Sequence, residues 1–427
     1  YLIYLYSLMI YDYVIIGGGM AGLYTVQELH KKNKNATILI VDMRDYWGGR
    51  VVTHKRPHYE IGGARLNDNH HLLLKLIDDY NCNKIPIISE SMFICKMKNN
   101  DVIPYYDSHK TLKSIMINIL DKSKKYSKNY IQQFSLKKWI DKLSNDTSLS
   151  IKIKDIFGYH SEIVEMNAYD ALLSFHRDFI SNQFYIIKEG FSELCSRIYK
   201  YHKNISNITF KTKCTIIDVV KDTQNTDIFH VHRDNGQIFT SKHVIFATKS
   251  EQLKQFSLLK PIYSHLSCIY NAPLLRIYAK YPVSNKGVVW FQGLPKVTTN
   301  SIIRQIIPIN ERTGLIMIAY NDSDDITPFW KDNHKKELKE EIIIKKMIAD
   351  ELKILFPKRS IPQPTYFKSH LWFVGAHHWK PKCNSDKLSK QIQTPCKGIY
   401  IIGEAFSQKQ AWVEGALETS KQVVEML

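Results

Sequence analysis

The sequence predicts an α/β fold built around a parallel β-sheet, and three observations lead to this prediction. The first is a short apolar run, rich in β-branched residues, followed by three glycines at GxGxxG spacing. The second is an amphipathic, helix-like segment and another apolar run, which closes with an acidic residue 20 positions beyond the last glycine. The third is a further apolar run near the end of the chain that also closes with a glycine. The segments concerned are residues 13–16, Gly17, Gly19 and Gly22, residues 23–30, residues 36–41 with Asp42, and residues 398–403.

The glycine turn has the composition that binding of a dinucleotide requires. In such a turn Gly17 allows a sharp bend, Gly19 lets the main chain approach a diphosphate, and Gly22 lets the helix pack closely on the strand. The diphosphate would lie at the positive N-terminus of the helix, and Asp42 would accept a hydrogen bond from a ribose hydroxyl. An acid here favours FAD or NAD over a 2′-phosphorylated cofactor. The predicted contacts of this segment are Gly17, Gly19, Met20, Ala21, Gly22, Asp42 and Met43.

Two further motifs decide between these cofactors, because both resemble one family. Trp47-Gly48-Gly49-Arg50 resembles the GGR sequence that follows the ribose-binding acid in the flavoprotein amine oxidases. The strand that ends at Gly403-Glu404, with the segment 412–417, resembles the closing G-E strand and last helix of that family. The resemblance covers the chain from residue 10 onward and implies FAD as the cofactor. The contacts it implies beyond the glycine turn are Gly49, Arg50, Gly63, Ala64, Arg65, Thr215, Ile216, Gly403, Glu404, Trp412 and Val413.

The family resemblance also implies the domain organisation, a Rossmann-type FAD-binding domain interleaved with a mixed α+β substrate domain. The FAD-binding domain is expected in residues 10–66, 188–252 and 385–427. The substrate domain is expected in residues 67–187 and 253–384.

The substrate domain is predicted to carry a lysine-rich helical insertion. Apolar residues recur at helical spacing in residues 112–120, 130–143 and 168–180, and lysines occupy the outer faces. A strand is predicted at residues 288–291.

The formal net charge of +18 allows two interpretations. One is an electrostatic surface for nucleic acid or another acidic partner. The other is compositional drift in a lysine-, isoleucine- and asparagine-rich proteome. We favour drift, because the lysines are spread along the chain and are not interleaved with aromatic residues. No specific nucleic-acid partner is therefore predicted, and the sequence leaves open whether the chain forms a homodimer.

The sequence offers no strong metal site. Seven cysteines without a CxxC pair argue against a disulfide framework and against zinc, and they predict reduced, mostly buried thiols. Asp322, Asp324 and Asp325 lack the glycine and the glutamate of a calcium loop, and we predict a solvated turn there.

The first ten residues are apolar, but they are too short to span a bilayer. They also lack the basic start and the cleavage site of a signal peptide. Because Met9 immediately precedes the first strand, residues 1–8 are interpreted as an upstream extension, with a membrane anchor as the alternative. Together with the cysteines, this predicts a cytoplasmic protein without a membrane span.

Within the family, Arg65 favours an amino-acid substrate. Gly62-Gly63-Ala64-Arg65-Leu66 resembles the GPMRL sequence of L-amino-acid oxidases, whose arginine pairs with the substrate carboxylate. A guanidinium suits this role because its planar fork matches a carboxylate with two parallel hydrogen bonds. The alternative is an arginine that holds the flavin phosphates or a surface acid, and the proline and methionine of the family pattern are absent here.

Lys296 is the predicted counterpart of the family's active-site lysine. The segment from Lys296 to Arg304 resembles the stretch that carries this lysine, with the same interval to an arginine. In the family the lysine holds a water against the flavin N5 atom, and its charge favours oxygen reduction. Lys286 is the competing candidate.

The aromatic residues of the expected pocket differ from those of monoamine oxidases, which place two tyrosines before the flavin. Trp412 resembles the tryptophan of amino-acid oxidases, and His377 or Trp379 replaces the other aromatic residue. For His377 and His378 the alternative is a pair of hydrogen-bonded structural histidines. Ala376 stands where monoamine oxidases carry the cysteine that bonds to the flavin, which implies non-covalent FAD.

The resemblance implies an FAD-dependent oxidase that removes a hydride from the carbon next to an amine. Lys296, Arg65, Trp412 and His377 are the expected catalytic residues, and an L-amino acid is the expected substrate. The products would be an imine, which becomes a keto acid and ammonia, and hydrogen peroxide formed from molecular oxygen. A monoamine or polyamine oxidase of the same family is the first alternative. A non-catalytic flavoprotein that binds a partner is the second.

Overall fold

A computed structural model describes residues 9–87, 90–178 and 183–427. The chain forms two compact units. Unit 1 comprises the segments up to Pro86, from Phe184 to Ile269 and from Asn384 onward, and unit 2 comprises Ile87–Gln183 and Tyr270–Cys383. The first two segments of unit 1 extend to Pro86 and Ile269, where the sequence analysis placed the boundaries at residues 66 and 252.

The strands of the described residues range from two-residue bridges to long sheet strands. They are β1 (Ile10–Ile16), β2 (Ile38–Val41), β3 (Thr53–His54), β4 (Tyr59–Glu60), β5 (Leu66–Asn67), β6 (Lys84–Ile87), β7 (Ser91–Lys96), β8 (Val102–Tyr105), β9 (Phe184–Ile187), β10 (Ile208–Lys211), β11 (Ile216–Lys221), β12 (Phe229–Arg233), β13 (Ile238–Phe246), β14 (Ile269–Lys280), β15 (Lys296–Thr299), β16 (Gln305–Asn310), β17 (Leu315–Asp322), β18 (Trp330–Asp332), β19 (Glu337–Leu338), β20 (Tyr366–Trp379) and β21 (Ile399–Ile401).

The α-helices of the described residues are distributed over both units. They are α1 (Met20–Lys32), α2 (His71–Asp79), α3 (Ser108–Ser123), α4 (Lys128–Ile131), α5 (Leu136–Ser144), α6 (Thr147–Phe157), α7 (Ser161–Val164), α8 (Ala168–Asp178), α9 (Phe191–His202), α10 (Ser250–Leu253), α11 (Tyr263–Leu266), α12 (Glu341–Leu355), α13 (Ser385–Gln393) and α14 (Val413–Met426). Short 3₁₀ helices lie at Ser257–Ile262, Glu311–Thr313, Ser323–Phe329 and Glu404–Phe406.

Unit 1 is organised around a sheet with the strand order β10-β2-β1-β13-β12-β11, and β21 also pairs with β13. β1 pairs in parallel with β2 and with β13. Every residue of β2 is buried, as a parallel strand covered on both faces requires. Helices α1, α9 and α14 contribute to the same apolar core, which includes Ile15, Leu23, Val26, Leu194 and Leu417. This sheet confirms the predicted Rossmann-type α/β fold.

Unit 2 contains a second sheet and a helical block. Its strand order is β20-β14-β17-β16-β15-β7-β8, in which β17 pairs antiparallel with β14 and β16, and β15 pairs in parallel with β7. α12 shares a core with this sheet through residues such as Ile316 and Ile344. The helical block has its own core, which includes Met116, Trp139 and Phe175. The predicted mixed α+β architecture is present.

The helical insertion matches the prediction in type and differs in its bounds. Residues 112–120 lie in α3, but the helix predicted at 130–143 is two helices, α4 and α5. The break occurs because Ser135 starts a new helix, and its hydroxyl accepts the N–H of Lys138. Of the third predicted helix, residues 168–178 form α8, and residues 179 and 180 lie outside the described residues.

Three sequence expectations need correction. Residues 288–291 form irregular structure and a turn, so the strand predicted there is wrong. Asp322 is buried, so the prediction of a solvated turn is wrong for this residue. Asp324, in contrast, is exposed. Cys268 and Cys383 are disulfide-bonded, whereas the remaining cysteines are free thiols as expected.

A helix that crosses a lipid bilayer must be both long and apolar. No helix within residues 9–87, 90–178 and 183–427 combines that length with that apolarity.

Candidate active site

β1 leads into a main-chain turn that accepts only glycine at two positions. Gly17 has a φ of +117°, and its N–H donates to the Val41 carbonyl over 2.8 Å. A Cβ at Gly17 would collide with the carbonyl of Ala247, and one at Gly22 would collide with the carbonyl of Gly17. Glycine is therefore required for the turn itself at Gly17 and for close packing of α1 at Gly22.

The GGR motif lies directly against this turn. The Gly48 N–H donates to the Gly18 carbonyl over 2.8 Å, and Gly19 and Gly48 form a parallel bridge. A Cβ at Gly19 would have the Cα of Gly49 as its nearest protein atom, 3.9 Å away. Bare main chain therefore borders an open space at the beginning of α1, whose first residues are Met20 and Ala21. This arrangement suits a diphosphate, which binds to main-chain N–H groups at a helix N-terminus.

An ion pair joins the two motifs that the sequence analysis singled out at opposite ends of the chain. Nη2 of Arg50 lies 2.7 Å from Oε1 of Glu404. Oε2 of Glu404 accepts the N–H of Ala411 over 2.9 Å, two residues before α14 begins at Val413. The side chain of Glu404 is only 9% exposed, so this partly buried pair has a better-defined geometry than a surface ion pair.

Asp42 holds the glycine turn from the end of β2. Its Oδ2 accepts the N–H of Gly18 over 2.7 Å, and its Oδ1 accepts the N–H of Arg44 over 2.8 Å. Each carboxylate oxygen has a second lone pair, so these bonds are compatible with a ribose hydroxyl as an additional donor. The ribose contact stays a prediction.

The predicted contacts at the start of β11 lie next to Asp42. The N–H of Cys214 donates to the Asp42 carbonyl over 2.9 Å, which places Thr215 and Ile216 beside the end of β2. Met43 is exposed, and its Sδ lies 3.7 Å from Nε2 of Gln252.

Gly63 connects the GGR motif to the last helix. Its N–H donates to the Arg50 carbonyl over 3.2 Å, and a Cβ at this position would lie 3.6 Å from Cγ2 of Val413. Ala64 follows and is half-buried. The predicted residues of this region thus come from three distant segments and meet in unit 1.

Arg65 lies among aromatic side chains of unit 1. Its guanidinium carbon is 5.8 Å from the centre of the Phe184 ring, and both residues are half-buried. Phe184 stacks on Trp412 with ring centres 6.3 Å apart. The buried ring of His70 packs edge-on against Trp412 at 4.7 Å. Two predicted catalytic residues, Arg65 and Trp412, are therefore linked through Phe184.

Lys296 begins β15 and lies beside a pair of tyrosines in unit 2. Its ammonium is 5.7 Å from the centre of the Tyr159 ring, and Tyr159 packs edge-on against Tyr320 at 5.4 Å. The guanidinium carbon of Arg276 is 4.7 Å from the centre of the Tyr320 ring, and its Nη2 donates to the Tyr320 hydroxyl over 3.3 Å. Each tyrosine of the pair therefore contacts one cation.

Arg276 is the most deeply buried of these cations, with 8% of the residue exposed. Burial alone would lower its pKa, but the phenols of Tyr320, Tyr278 and Tyr159 raise the pKa of Arg276 above its ordinary value. The guanidinium is therefore charged at neutral pH.

His377 lies on β20 and is fully buried in unit 2, as is Trp379. The next residue, His378, has its Nε2 3.1 Å from Oγ of Ser161, and this hydroxyl also donates to the carboxylate of Asp322. His378 is thus a hydrogen-bonded structural histidine. The role of His377 in a pocket wall stays a prediction.

Comparison with known proteins decides the family. The model of a family described as flavin-containing amine oxidoreductase matches residues 20–427, which is nearly the whole chain. The chain belongs to this family.

Two curated relatives and several solved structures resemble this amine oxidoreductase. A probable flavin-containing monoamine oxidase A of Dictyostelium discoideum is 28% identical over 102 residues, 23% of this chain and only 22% of that protein. The uncharacterised protein R188 of Acanthamoeba polyphaga mimivirus is 20% identical over 96% of this chain and 92% of that protein. Wild-type putrescine oxidase bound to putrescine has a TM-score of 0.75 and 14% identity over 98% of this chain and 99% of the other. A triple mutant of that enzyme has a TM-score of 0.78, and the match covers 97% of this chain and 98% of the mutant's chain.

The protein is therefore an FAD-dependent oxidoreductase of the amine oxidase type. Non-covalent attachment of the FAD stays a prediction. The geometry of unit 1 suits this cofactor. The space beside Gly19 would be filled by any side chain, and the main chain of Gly19 and Gly49 borders it. Arg50 supplies a positive charge next to that main chain, and the start of α1 supplies N–H groups.

Three residues of this amine oxidoreductase were missed by motif analysis. Phe184 and His70 have no motif of their own, because ring packing imposes no fixed spacing along the sequence. Arg276 had a usable signal, since it is a lone charge within the apolar run of β14. A charge in such a strand is buried at a cost and needs a reason.

Proposed function

We propose that this flavoenzyme oxidises an L-amino acid at the carbon that bears the amine. The single observation that carries the proposal is Arg65, whose guanidinium lies 5.8 Å from the centre of Phe184, a ring that stacks on Trp412. A cation among aromatic rings would repel a second cation, so this position suits an anionic group of the substrate.

The chemistry of Arg65 also suits a carboxylate. A guanidinium is planar, and its N–H donors point outward in that plane from its edge. That edge can meet both oxygens of a carboxylate with two parallel hydrogen bonds. The half-buried position strengthens such a pair relative to one on the open surface.

The roles of the other residues follow from the same assignment. FAD supplies the two-electron redox chemistry, and molecular oxygen is the final acceptor. Trp412 would wall the substrate beside Arg65, and orientation by these two residues would contribute the effective concentration that the reaction needs. No strong general base is required if the amine enters in its neutral form.

A second candidate, oxidation of a monoamine or polyamine, is supported by the comparisons. Putrescine oxidase, solved with putrescine bound, shares the fold over nearly the whole chain, and a monoamine oxidase matches a part of it. In this case Arg65 would have a structural role.

Anaerobic reduction of the flavin tests these functions. The absorbance of oxidised FAD is followed against a panel of L-amino acids and the amines obtained by their decarboxylation. We expect amino acids, and not the matched amines, to bleach the flavin. Arg65→Met should slow bleaching by amino acids about 100-fold, the loss of a charge-assisted bidentate contact.

Lys84 provides the matched control, because its ammonium makes the same type of contact, 5.8 Å from the centre of the Tyr185 ring, from an exposed position in unit 1. Lys84→Met should leave the bleaching rates unchanged. Bleaching by amines alone, retained in Arg65→Met, would assign the protein to the second candidate. An equal loss in both variants would contradict a specific role of Arg65.

A further inference from the structure

Lys249 leaves the sheet of unit 1 at the same edge as the glycine turn. β1 and β13 run in parallel, and Ile16 is in register with Phe246 at their carboxyl ends. The N–H of Ala247 donates to the Ile16 carbonyl over 2.8 Å, and the Ala247 carbonyl occupies the space where Gly17 would carry a Cβ. Lys249 follows two residues later and is half-buried.

Two arginines from other segments lie at the same edge. Arg44 follows β2, where its N–H bonds to Asp42, and Arg50 closes the GGR motif. Gln252, on the helix that starts after Lys249, lies 3.7 Å from Met43, the neighbour of Arg44. Three cations from three distant segments therefore converge beside the glycine turn.

The direction in which the pKa of Lys249 shifts agrees with this placement of the three cations. Burial, and after it the positive charges of Arg50 and Arg44, lower the pKa of Lys249, while Glu251 acts in the opposite direction. Glu404 offsets part of the charge of Arg50. The ammonium is nevertheless held in an unfavourable positive field.

Like charges that converge at a half-buried place cost free energy unless an anion joins them. We propose that Lys249, together with Arg44 and Arg50, binds the diphosphate of FAD. The diphosphate carries two negative charges, and the open space beside Gly19 at the start of α1 lies at this same edge. Lys249 thus adds a charge contact to a site formed by main-chain groups. The inference depends on the cofactor and not on which substrate the enzyme oxidises.

Removal of the Lys249 charge should therefore act differently on the stability of the apoprotein and on the binding of FAD. Without FAD, Lys249 is repelled by the two arginines, so its removal should leave the apoprotein equally stable or more stable. With FAD, the same removal deletes one attractive contact and should weaken binding. A purely structural lysine would not separate the two forms in this way.

Titration of the full-length apoprotein with FAD, followed by flavin fluorescence at two ionic strengths, tests the proposal. Lys249→Met should raise the Kd for FAD about tenfold, the loss of one hydrogen bond to a charged group, and should reduce the dependence of the Kd on salt. Lys249→Arg should retain most of the affinity. Lys254→Met, at an exposed lysine on the same short segment, should change neither quantity.

Thermal unfolding of the apoprotein completes the test. Lys249→Met should unfold at the same temperature as the wild type or at a higher one. An unchanged Kd with an unchanged salt dependence would overturn the proposal. A lower unfolding temperature of the apoprotein would also overturn it, because it would assign Lys249 a structural role.

Discussion

At Lys296, a half-buried ammonium lies 5.7 Å from the centre of the Tyr159 ring. The charge of Lys296 also acts on His109. Burial, and after it the charges of Lys296 and Lys113, lower the pKa of His109. With Arg276 on Tyr320, unit 2 thus carries two positive charges on one pair of tyrosines. We propose that the charge of Lys296 stabilises the anion that forms during oxygen reduction.

We therefore expect Lys296→Met to slow the oxygen half-reaction selectively. The second-order rate constant for reoxidation of reduced FAD should fall at least about tenfold, because a charge aimed at a developing anion is removed. The rate of anaerobic flavin reduction should stay within about twofold, since binding of the amine is unchanged. Stopped-flow absorbance measures both steps.

Lys286→Met is the matched control, because Lys286 is the competing lysine and is exposed. It should reoxidise at the wild-type rate. A slow Lys286→Met together with a normal Lys296→Met would show that the sequence match selected the wrong lysine.

Motifs could identify those residues whose type is fixed by a steric limit or by a charge. Gly17 and Gly22 have no room for a side chain, and Arg50 and Glu404 form an ion pair, so the chain has few alternatives at these positions. Phe184 escaped prediction because another large apolar side chain could also pack on Trp412. Lys249 escaped because its role depends on where two distant arginines lie.

The turn between β1 and α1 offers a prediction for a whole structural element. Gly19→Ala should leave the apoprotein folded, because the new Cβ meets no protein atom nearer than 3.9 Å. As the residue before α1, alanine at this position should cost at most about 1 kcal/mol of unfolding free energy. FAD affinity should fall at least about tenfold, since the methyl group enters the space assigned to the diphosphate. Urea unfolding and FAD titration measure the two effects.

Gly18→Ala is the contrasting variant within the same turn. A Cβ at Gly18 would collide with the indole of Trp47, so overpacking should cost the apoprotein about 1–3 kcal/mol. Equal destabilisation of the two apoproteins, or normal FAD affinity in Gly19→Ala, would refute the assignment of the open space beside Gly19.

Elements were predictable where burial imposes a regular pattern. β1 and β2 lie inside a parallel sheet and appear as continuous apolar runs. The segment 288–291 has the same apolar character, but its Val289, Trp290 and Phe291 fill the core of unit 2 from a turn. Composition alone could not separate the two cases, because both bury apolar side chains and only the strands pair their main chains.

At the scale of the whole molecule, a buried polar network joins distant parts of unit 2. The N–H groups of His160 and Ser161 each donate to the carboxylate of Asp322 over 2.7 Å, and these partners are about 160 positions apart. Arg304 pairs with Asp155 and with Asp325, each at 2.9 Å. The sequence could not reveal this network, because an aspartate in a polar segment has the same pattern whether it is solvated or buried.

The network makes the stability of unit 2 depend on pH through His160. Burial alone would lower its pKa, but the carboxylates of Asp325 and Asp322 raise the pKa of His160 above 6.5. Nδ1 of His160 and Oδ1 of Asp325 are 3.7 Å apart. The imidazolium is therefore favoured in the folded state. Its contribution to stability is complete below pH 6.5 and is lost as the pH rises through the raised pKa of the folded protein.

Two carboxylates of the network, those of Asp322 and Asp325, contribute to stability over different pH ranges. Burial, only partly offset by hydrogen bonds from Ser161 and His160, raises the pKa of Asp322, so its contribution to stability also declines as the pH rises. Although burial opposes ionisation of Asp325, its contacts with His160 and Arg304 lower its pKa below 3.8. Its contribution is lost only when the pH falls through that lowered pKa.

We expect His160→Gln to remove a measurable part of this pH dependence. Wild type and variant are compared by urea unfolding at one pH below 6.5 and one pH well above it. The variant should lose more unfolding free energy at the lower pH, so the difference between the two proteins shrinks as the pH rises. His334→Gln, at an exposed histidine of the same unit, should not change the slope. A difference that is constant with pH would mean that folding leaves the pKa of His160 unshifted, and a difference that grows with pH would reverse the sign assigned to the Asp325 contact.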